Sequence, residues 1–222
     1  GLVEWRQYSR EAFGRGPAAG KTEGGGGMEE RSLEELWRLY PIVLKSYNPQ
    51  YPLWYAEEKQ RLLRVLRDQG VARIHHIGST AVEGLTAKPT IDILLEFPAG
   101  YAVEAVARRL QEDGWILMQK NVPGGTLDLG KGYLPTGFAD KVYHLHVKPL
   151  GDWGELYFRD YLRQHPEACR RYEALKRELK ERFEHNRDAY TMAKTDFVRE
   201  HTEKARREFG GRYRPPGGGG GV

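Results

Sequence analysis

The sequence of 222 residues predicts an α+β fold, in which a mixed central β-sheet is flanked by helices and followed by a C-terminal helical subdomain. Two observations support this prediction. Residues 90–97 are almost wholly apolar, which is typical of a strand covered on both faces of a sheet. From Gly151 onward the apolar residues recur at helical spacing as far as Phe209.

Composition restricts the function classes. No stretch approaches eighteen consecutive apolar residues, so the sequence predicts no membrane-spanning helix, and its N-terminus lacks the pattern of a signal peptide. The single cysteine, Cys169, excludes an internal disulfide and a Cys-rich zinc site. We therefore expect a cytoplasmic globular protein without a membrane partner.

The glycines divide the chain into regions, because many of the 27 lie in two tails. Such tails bury too little apolar surface to offset the entropy of ordering. We expect a flexible leader or linker over residues 1–27 and a disordered tail over 210–222. Between them we predict one domain, with an α/β core over 28–150 and a helical wing over 151–209.

Local signals place the elements in order. Ser32-Leu33-Glu34-Glu35 resembles a capping box and begins a short helix that Pro41 ends. Further helices are predicted over residues 54–67, 101–113, 152–164, 167–183 and 188–209. Strands are predicted over residues 71–77, 90–97, 115–119, 126–129 and 142–148.

The densest chemical signal is a Gly-Ser turn followed by an acidic residue in an apolar strand. In the turn Gly78-Ser79-Thr80, glycine permits close approach of a ligand, while hydroxyl and backbone N–H groups suit phosphate oxygens. Asp92 lies between two isoleucines, where a carboxylate needs a hydroxyl, a backbone N–H, a cation or a metal as partner.

Two histidines share one face of a predicted strand, because His144 and His146 are two residues apart. They are candidate metal ligands, phosphate-binding groups or proton shuttles. The alternative is a structural pair bonded to backbone carbonyls.

Four further residues are candidate ligand contacts. Lys88, at the start of the second strand, is placed to neutralise a phosphate, or is a solvated loop lysine. Arg159 suits bidentate phosphate binding, or pairs with Asp160 to tie the helical wing to the sheet. Tyr190 and Lys194 share a helix face. This face either lines a cleft opposite Ser79 or packs the helix against the rest of the domain.

These motifs together resemble the GrpB family, within the polymerase-β-like nucleotidyltransferase superfamily. The resemblance covers about residues 36–209. The matching segments are His75 to Val82, Lys88 to Ile93, His144 to Val147, Tyr157 to Leu162, His165-Pro166 and Tyr190 to Lys194.

The resemblance implies a nucleotidyltransferase-like fold in which the Gly-Ser turn holds the triphosphate of a nucleotide and strand carboxylates hold Mg²⁺ or Mn²⁺. Asp92, Glu96, His144 and His146 are the implied metal ligands, and Asp92 with the two histidines would form the catalytic group. Leu94 stands where such transferases carry their second carboxylate, and Glu96 lies two residues further along.

Two functions therefore remain open at the level of sequence. The first is an enzyme that binds a nucleotide or phosphorylated metabolite and transfers a nucleotidyl group with divalent metal. The second is an inactive module of the same fold that binds a ligand or a protein partner, which Leu94 favours, and which could belong to a fusion protein. A weaker third option is RNA association through the helical wing, where basic residues outnumber acidic ones.

Overall fold

The computed structural model describes residues 38–216. The predicted leader and most of the predicted first helix lie outside this range, although Arg38 and Leu39 are helical. The helices are α1 (Tyr51–Val65), α2 (Val103–Glu112), α3 (Gly154–Gln164), α4 (Pro166–Phe183), α5 (Arg187–Ala193) and α6 (Thr195–Phe209), and a 3-10 turn covers Ser79–Ala81. The strands are β1 (Arg73–Ile77), β2 (Thr90–Phe97), β3 (Ile116–Asn121), β4 (Thr126–Leu134) and β5 (Gly137–Pro149).

The five strands form one mixed sheet in the order β1-β2-β5-β4-β3. The β2 and β5 strands are parallel, and the other neighbouring pairs are antiparallel. In this register Asp92 lies beside His144, and His146 lies beside Asp128 of β4. The fold class predicted from the sequence is therefore confirmed.

One face of the sheet packs on α1 and α2. Alternate residues of β2, such as Ile91, Ile93 and Leu95, are fully buried there against Leu62 and Val106. The pattern follows from the amphipathic sequence of the two helices, which places their apolar residues toward the sheet. This face forms the main hydrophobic core.

The opposite face is covered in part by the C-terminal helices. Leu94 of β2, fully buried, packs with Ile77 and with Leu156 of α3. Toward the start of β2 the same face carries the polar side chains of Thr90 and Asp92. The polar part of the sheet therefore faces the helical wing across a gap.

The β4–β5 hairpin and the last predicted helix differ from the sequence-based predictions. The β4 and β5 strands are longer than predicted and form a hairpin around residues 134–137, because Gly130 and Gly132 lie within β4 without ending it. Gly132 has φ +89°, and the pairing shifts between Lys131 and Tyr133, so the glycine accommodates a bulge. The predicted last helix is also divided into α5 and α6 at Lys194.

Residues 210–216, which the sequence assigned to a disordered tail, contact the helical wing instead. Tyr213 donates its hydroxyl to Asp160, and its ring lies 5.2 Å from that of Tyr157 in an edge arrangement. Arg212 also donates to Asp160 at 3.1 Å. These contacts exist because Tyr213 offers both a ring and a hydroxyl in an otherwise Gly- and Pro-rich segment.

Within residues 38–216, no helix combines the length and the apolar composition that spanning a membrane requires.

Candidate functional site

A cavity of about 580 Å³ lies between the polar part of the sheet and the helical wing. It is of the size that proteins use for small-molecule ligands. Its wall includes these predicted site residues: Gly78, Ser79, Thr80, Lys88, Asp92, His144, His146, Tyr190 and Lys194. The structure thus brings together residues from β1–β2, β5 and the last two helices.

Gly78 is required where β1 turns toward the cavity. Its φ is +72°, a conformation that residues with a side chain rarely adopt. A Cβ atom at this position would lie 2.4 Å from Oδ2 of Asp92. The glycine therefore lets the backbone of the turn approach the Asp92 carboxylate directly.

Asp92, His144 and Tyr133 form a hydrogen-bonded chain across the sheet. Nδ1 of His144 is 3.3 Å from Oδ1 of Asp92, and its Nε2 faces the Tyr133 hydroxyl. Burial lowers the pKa of His144, although Asp92 opposes this shift. A neutral His144 donates from Nδ1 to the carboxylate and accepts from the tyrosine at Nε2.

His146 bridges two carboxylates. Its Nδ1 lies 2.5 Å from Oδ1 of Asp128, and its Nε2 lies 3.8 Å from Oδ1 of Asp92. Burial disfavours the charged imidazole, but hydrogen bonds to Asp128 and Asp92 outweigh it and raise the pKa of His146 to about 10. Burial also disfavours the Asp92 anion, yet His144 and His146 hold its pKa well below its usual range.

Three lysines line the cavity beside the Gly-Ser turn. Nζ of Lys176, on α4, is 3.4 Å from the Ser79 hydroxyl and donates to the Thr86 carbonyl. Burial, reinforced by Lys194, lowers the pKa of Lys176 to about 7. Burial lowers the pKa of Lys194 to about 8 against the pull of Asp92, and burial with Arg187 holds that of Lys88 well below its usual range.

Tyr190 lies between two of these lysines. Lys194 Nζ is 4.5 Å and Lys88 Nζ is 6.0 Å from the centre of its ring. The residue is fully buried, and its hydroxyl has no hydrogen-bond partner within the described part of the chain. A buried hydroxyl without a partner is costly, so this atom suits a polar ligand group.

Glu96 is a predicted site residue that the structure does not bring into the cavity. It is fully buried, and its two oxygens accept from Arg73 at 2.7 and 2.9 Å. It also accepts from the backbone N–H of Gly151 at 3.1 Å. Four residues of strand separate it from Asp92, or about 13 Å, too far for one metal ion to be shared.

Arg159 also lies outside the cavity wall. It donates to the His76 carbonyl at 3.0 Å, to the Tyr213 hydroxyl at 2.9 Å and to Asp160 at 2.9 Å. Arg159 therefore ties the wing to β1, which is the structural role that the sequence offered as the alternative to phosphate binding. Thr80 lines the cavity, but its hydroxyl donates to the Thr90 carbonyl at 2.9 Å, so it is committed to the turn.

Sequence reasoning missed Asp128, Lys176 and Arg187, which line the cavity as well. Asp128 comes from β4, and only the pairing with His146 places it at the site. Lys176 lies in a helix rich in both charges, which is typical of a solvated surface. The signal for its burial is its spacing, because Lys176 lies four residues after Tyr172 and three before Leu179, which are both buried.

The donor set does not fit the Mg²⁺ or Mn²⁺ centre expected from the sequence. Among residues 38–216, no group of three or more His, Cys, Asp or Glu side chains is arranged to hold a metal ion. Leu94 supplies no oxygen, Glu96 is held by Arg73, and Nδ1 of His146 is engaged by Asp128. Two-metal phosphoryl transfer requires carboxylate oxygens that bridge the ions.

Fold and site together define a class: an α+β protein with a mixed five-stranded sheet and a lysine-lined cleft under a helical wing. The sequence profile of the family described as GrpB protein matches residues 41–204. The chain therefore belongs to the GrpB family.

Several relatives extend this result. A UPF0157 protein of Pseudomonas aeruginosa is 37% identical over 158 residues, covering 71% of this chain and 64% of its own length. The UPF0157 protein YqkA of Bacillus subtilis is 31% identical over 187 residues, covering 81% and 52%. The glutamate-rich protein GrpB of Alkalihalophilus pseudofirmus is 32% identical over 163 residues, covering 72% and 92%. The chain thus spans less than two thirds of the first two relatives.

A crystal structure of the conserved protein GrpB from Enterococcus faecalis shares the fold. It superposes with a TM-score of 0.64 at 27% sequence identity, over 75% of this chain and 99% of that one.

Proposed function

We propose that the cavity binds the phosphate groups of a nucleotide or another phosphorylated small molecule. The observation that carries this proposal is a set of three lysines beside the Gly-Ser turn, of which Lys176 is buried and the other two are half-buried. Lys88, Lys176 and Lys194 surround one cavity, and burial lowers the pKa of each. Burying cations together is unfavourable unless an anion joins them.

The carboxylates of the cavity wall neutralise these lysines only in part, because Asp92 attracts Lys88 and Lys194 but is also the partner of two histidines. Asp128 pairs with His146 at 2.5 Å, and Glu155 pairs with Lys148. Asp92 is engaged by His144 and His146. The lysines are therefore the groups with charge to offer a phosphate, and the Ser79 and Tyr190 hydroxyls supply donors next to them.

Nucleotidyl transfer is the finer version of this proposal. In it, the acceptor hydroxyl would attack the α-phosphorus of the bound nucleoside triphosphate and pyrophosphate would leave, while Nε2 of His144 would give up its hydrogen bond from Tyr133 and take the hydroxyl proton. The alternative is a binding module without catalysis, and one observation favours it. Leu94 occupies the second-carboxylate position and is fully buried against Ile77 and Leu156.

The experiment is a thermal-stability screen of the full chain against nucleotides and phosphometabolites, each with and without Mg²⁺ or Mn²⁺. A ligand at about a hundred times its dissociation constant stabilises a protein by roughly 2.7 kcal/mol, which is readily measured. We expect phosphorylated compounds to raise the melting temperature without added metal. A shift that requires metal and disappears in Asp92→Asn would support transfer, whereas no shift with any phosphorylated compound would contradict the proposal.

RNA association and binding of a protein partner stay predictions, and the ion pairs of the helical wing give less support to RNA association than the cavity gives to phosphate binding. The many Arg and Lys residues of the helical wing pair with nearby acids, as Lys204 does with Glu200 and Arg206 with Asp152. Such pairing reduces the charge available to a polyanion.

We propose the cytoplasm as the location, because that is where most phosphorylated metabolites are used.

A further inference from the structure

A second cavity, of about 330 Å³, adjoins the first. Lys88, Thr90 and Arg187 line both cavities, so the two spaces share a wall. The wall of the second cavity also contains the aromatic residues Trp54 and Phe138.

The register of the sheet fixes how the two cavities are placed. Thr90 of β2 pairs with Val142 of β5, and both line the second cavity. Asp92 pairs with His144 two residues further along the same strands, and both line the first cavity. Two residues of strand correspond to about 7 Å, so one elongated ligand can reach from the first cavity into the second.

The second cavity differs from the first in its chemistry. Phe138, on the β4–β5 hairpin, leaves 36% of its surface exposed, and its ring packs in edge arrangements against Tyr40 and Tyr133. Trp54 of α1 is half-buried, with its ring 5.6 Å from that of Tyr51. Lys141 Nζ lies 5.5 Å from the centre of the Trp54 ring and the Arg187 guanidinium lies 5.7 Å from that of Phe138, so a planar ligand ring would pack against the remaining accessible surface of the two side chains.

Polar groups at the rim complete the subsite. Asn48 lines the cavity and accepts from the backbone N–H of Gln50 at 2.9 Å through Oδ1, which leaves its amide N–H₂ as the donor that it can offer to a ligand. The segment that carries Asn48 is fixed beside Lys88 by a β-bridge between Lys45 and Ala87, with hydrogen bonds of 2.9 and 3.0 Å. Backbone hydrogen bonds of this β-bridge therefore hold the rim in position.

We infer that the second cavity holds the planar ring of the same ligand whose phosphates occupy the first cavity, which makes that ligand a nucleotide rather than a simple sugar phosphate or inorganic phosphate. This inference rests on the proposed phosphate-binding function. It adds the class of the ligand and the residues Trp54, Phe138 and Asn48 as its ring-binding contacts.

The test compares two probes on the full chain by calorimetry: inorganic tripolyphosphate, and a panel of the common nucleoside triphosphates. We expect at least one triphosphate to bind about tenfold or more tightly than tripolyphosphate, since stacking on one aromatic side chain is worth roughly that factor. Phe138→Ala and Trp54→Ala should lose that advantage while keeping the affinity for tripolyphosphate. Trp54→Phe, which keeps a ring, should retain most of it.

Leu53→Ala is the matched control, because Leu53 precedes Trp54 on α1 and is 52% exposed outside both cavity walls. Melting temperatures of all variants show whether each one folds. Equal affinity for tripolyphosphate and every nucleotide would overturn the ring subsite and leave the phosphate site standing. Loss of both probes alike in a folded Phe138→Ala protein would also overturn it. Absence of binding by every phosphorylated probe would instead overturn the proposed function, and this inference with it.

Discussion

At the scale of single residues, the site depends on a glycine and a carboxylate in contact. Gly78 has no side chain, and the Asp92 carboxylate occupies the space where a Cβ would stand. Asp92 in turn orients His144 and faces His146. The position of the Gly-Ser turn and the orientation of both imidazoles are therefore coupled through one side chain.

Gly78→Ala tests this coupling. The added methyl group would meet Oδ2 of Asp92 and would also require a strained φ. We expect a loss of about 2–4 kcal/mol in the free energy of unfolding and at least about tenfold weaker binding of tripolyphosphate. Gly84→Ala is a matched control, because Gly84 has φ +76° but nothing within 4 Å of its ideal Cβ. If both variants bind tripolyphosphate equally well, the close approach of turn and carboxylate has no role in the site.

Lys176 gives a prediction of pH dependence. Its folded-state pKa is about 7, below the value of about 10.4 for an unfolded lysine. Between these values the unfolded chain binds more protons than the folded one, so the free energy of unfolding should rise with pH across that window. Urea denaturation at several pH values should show this rise in the wild type and a smaller one in Lys176→Met. An unchanged slope in the variant would contradict the lowered pKa of Lys176.

The same protonation should control anion binding. Sulfate does not titrate near neutral pH, so any pH dependence of its binding belongs to the protein. We expect its affinity to fall as pH rises through about 7 to 8, where Lys176 and Lys194 lose their protons. Calorimetry with sulfate at low salt measures this trend, and affinity that rises with pH would count against the lysines as its ligands.

At the scale of elements, Glu96 joins β2 to its neighbours. It accepts two hydrogen bonds from Arg73 of β1 and one from Gly151, which follows β5. The carboxylate predicted as a metal ligand is thus a structural link between strands and the start of the helical wing.

Glu96→Gln tests this assignment. Removing one charge of a buried pair leaves Arg73 without its counter-charge, so we expect a loss of about 3 kcal/mol in the free energy of unfolding. The affinity of the folded variant for tripolyphosphate should stay within about threefold of the wild type, with and without Mg²⁺. A selective loss of Mg²⁺-dependent binding would show that Glu96 is a metal ligand after all.

Strand pairing also explains how far sequence could predict the site. The apolar run around Asp92 predicts a strand covered on both faces, and the two-residue spacing of His144 and His146 places both on one face. The register that sets Asp92 beside His144 and brings Asp128 to His146 depends on pairing between distant segments. Local patterns carry no information about that register, so Asp128 was not predicted.

At the scale of the whole molecule, the wing is held to the sheet by residues near the C-terminus. Arg159 donates to the His76 carbonyl of β1 and to the Tyr213 hydroxyl, and Tyr213 donates to Asp160. The Gly- and Pro-rich composition around Tyr213 predicts disorder. Composition describes the average of a segment, however, and does not show that one aromatic residue can anchor it.

Tyr213→Ala tests this anchor. The variant removes the partner of Arg159 and Asp160, and we expect it to lower the free energy of unfolding by about 2 kcal/mol, measured by urea denaturation. Arg214→Ala, one residue further on, should have a much smaller effect. Equal effects of the two substitutions would indicate that the segment does not depend on Tyr213.

The central claim is that the lysines of the cavity wall form a phosphate site, and calorimetric titration of the full chain with inorganic tripolyphosphate tests it most directly. The comparison is between wild type, Lys194→Gln in the cavity wall and Lys204→Gln on the exposed surface of α6, where Lys204 pairs with Glu200. We predict saturable binding that Lys194→Gln weakens by about tenfold or more and Lys204→Gln leaves unchanged. Absence of binding to the wild type, or equal loss in both variants, would contradict the account.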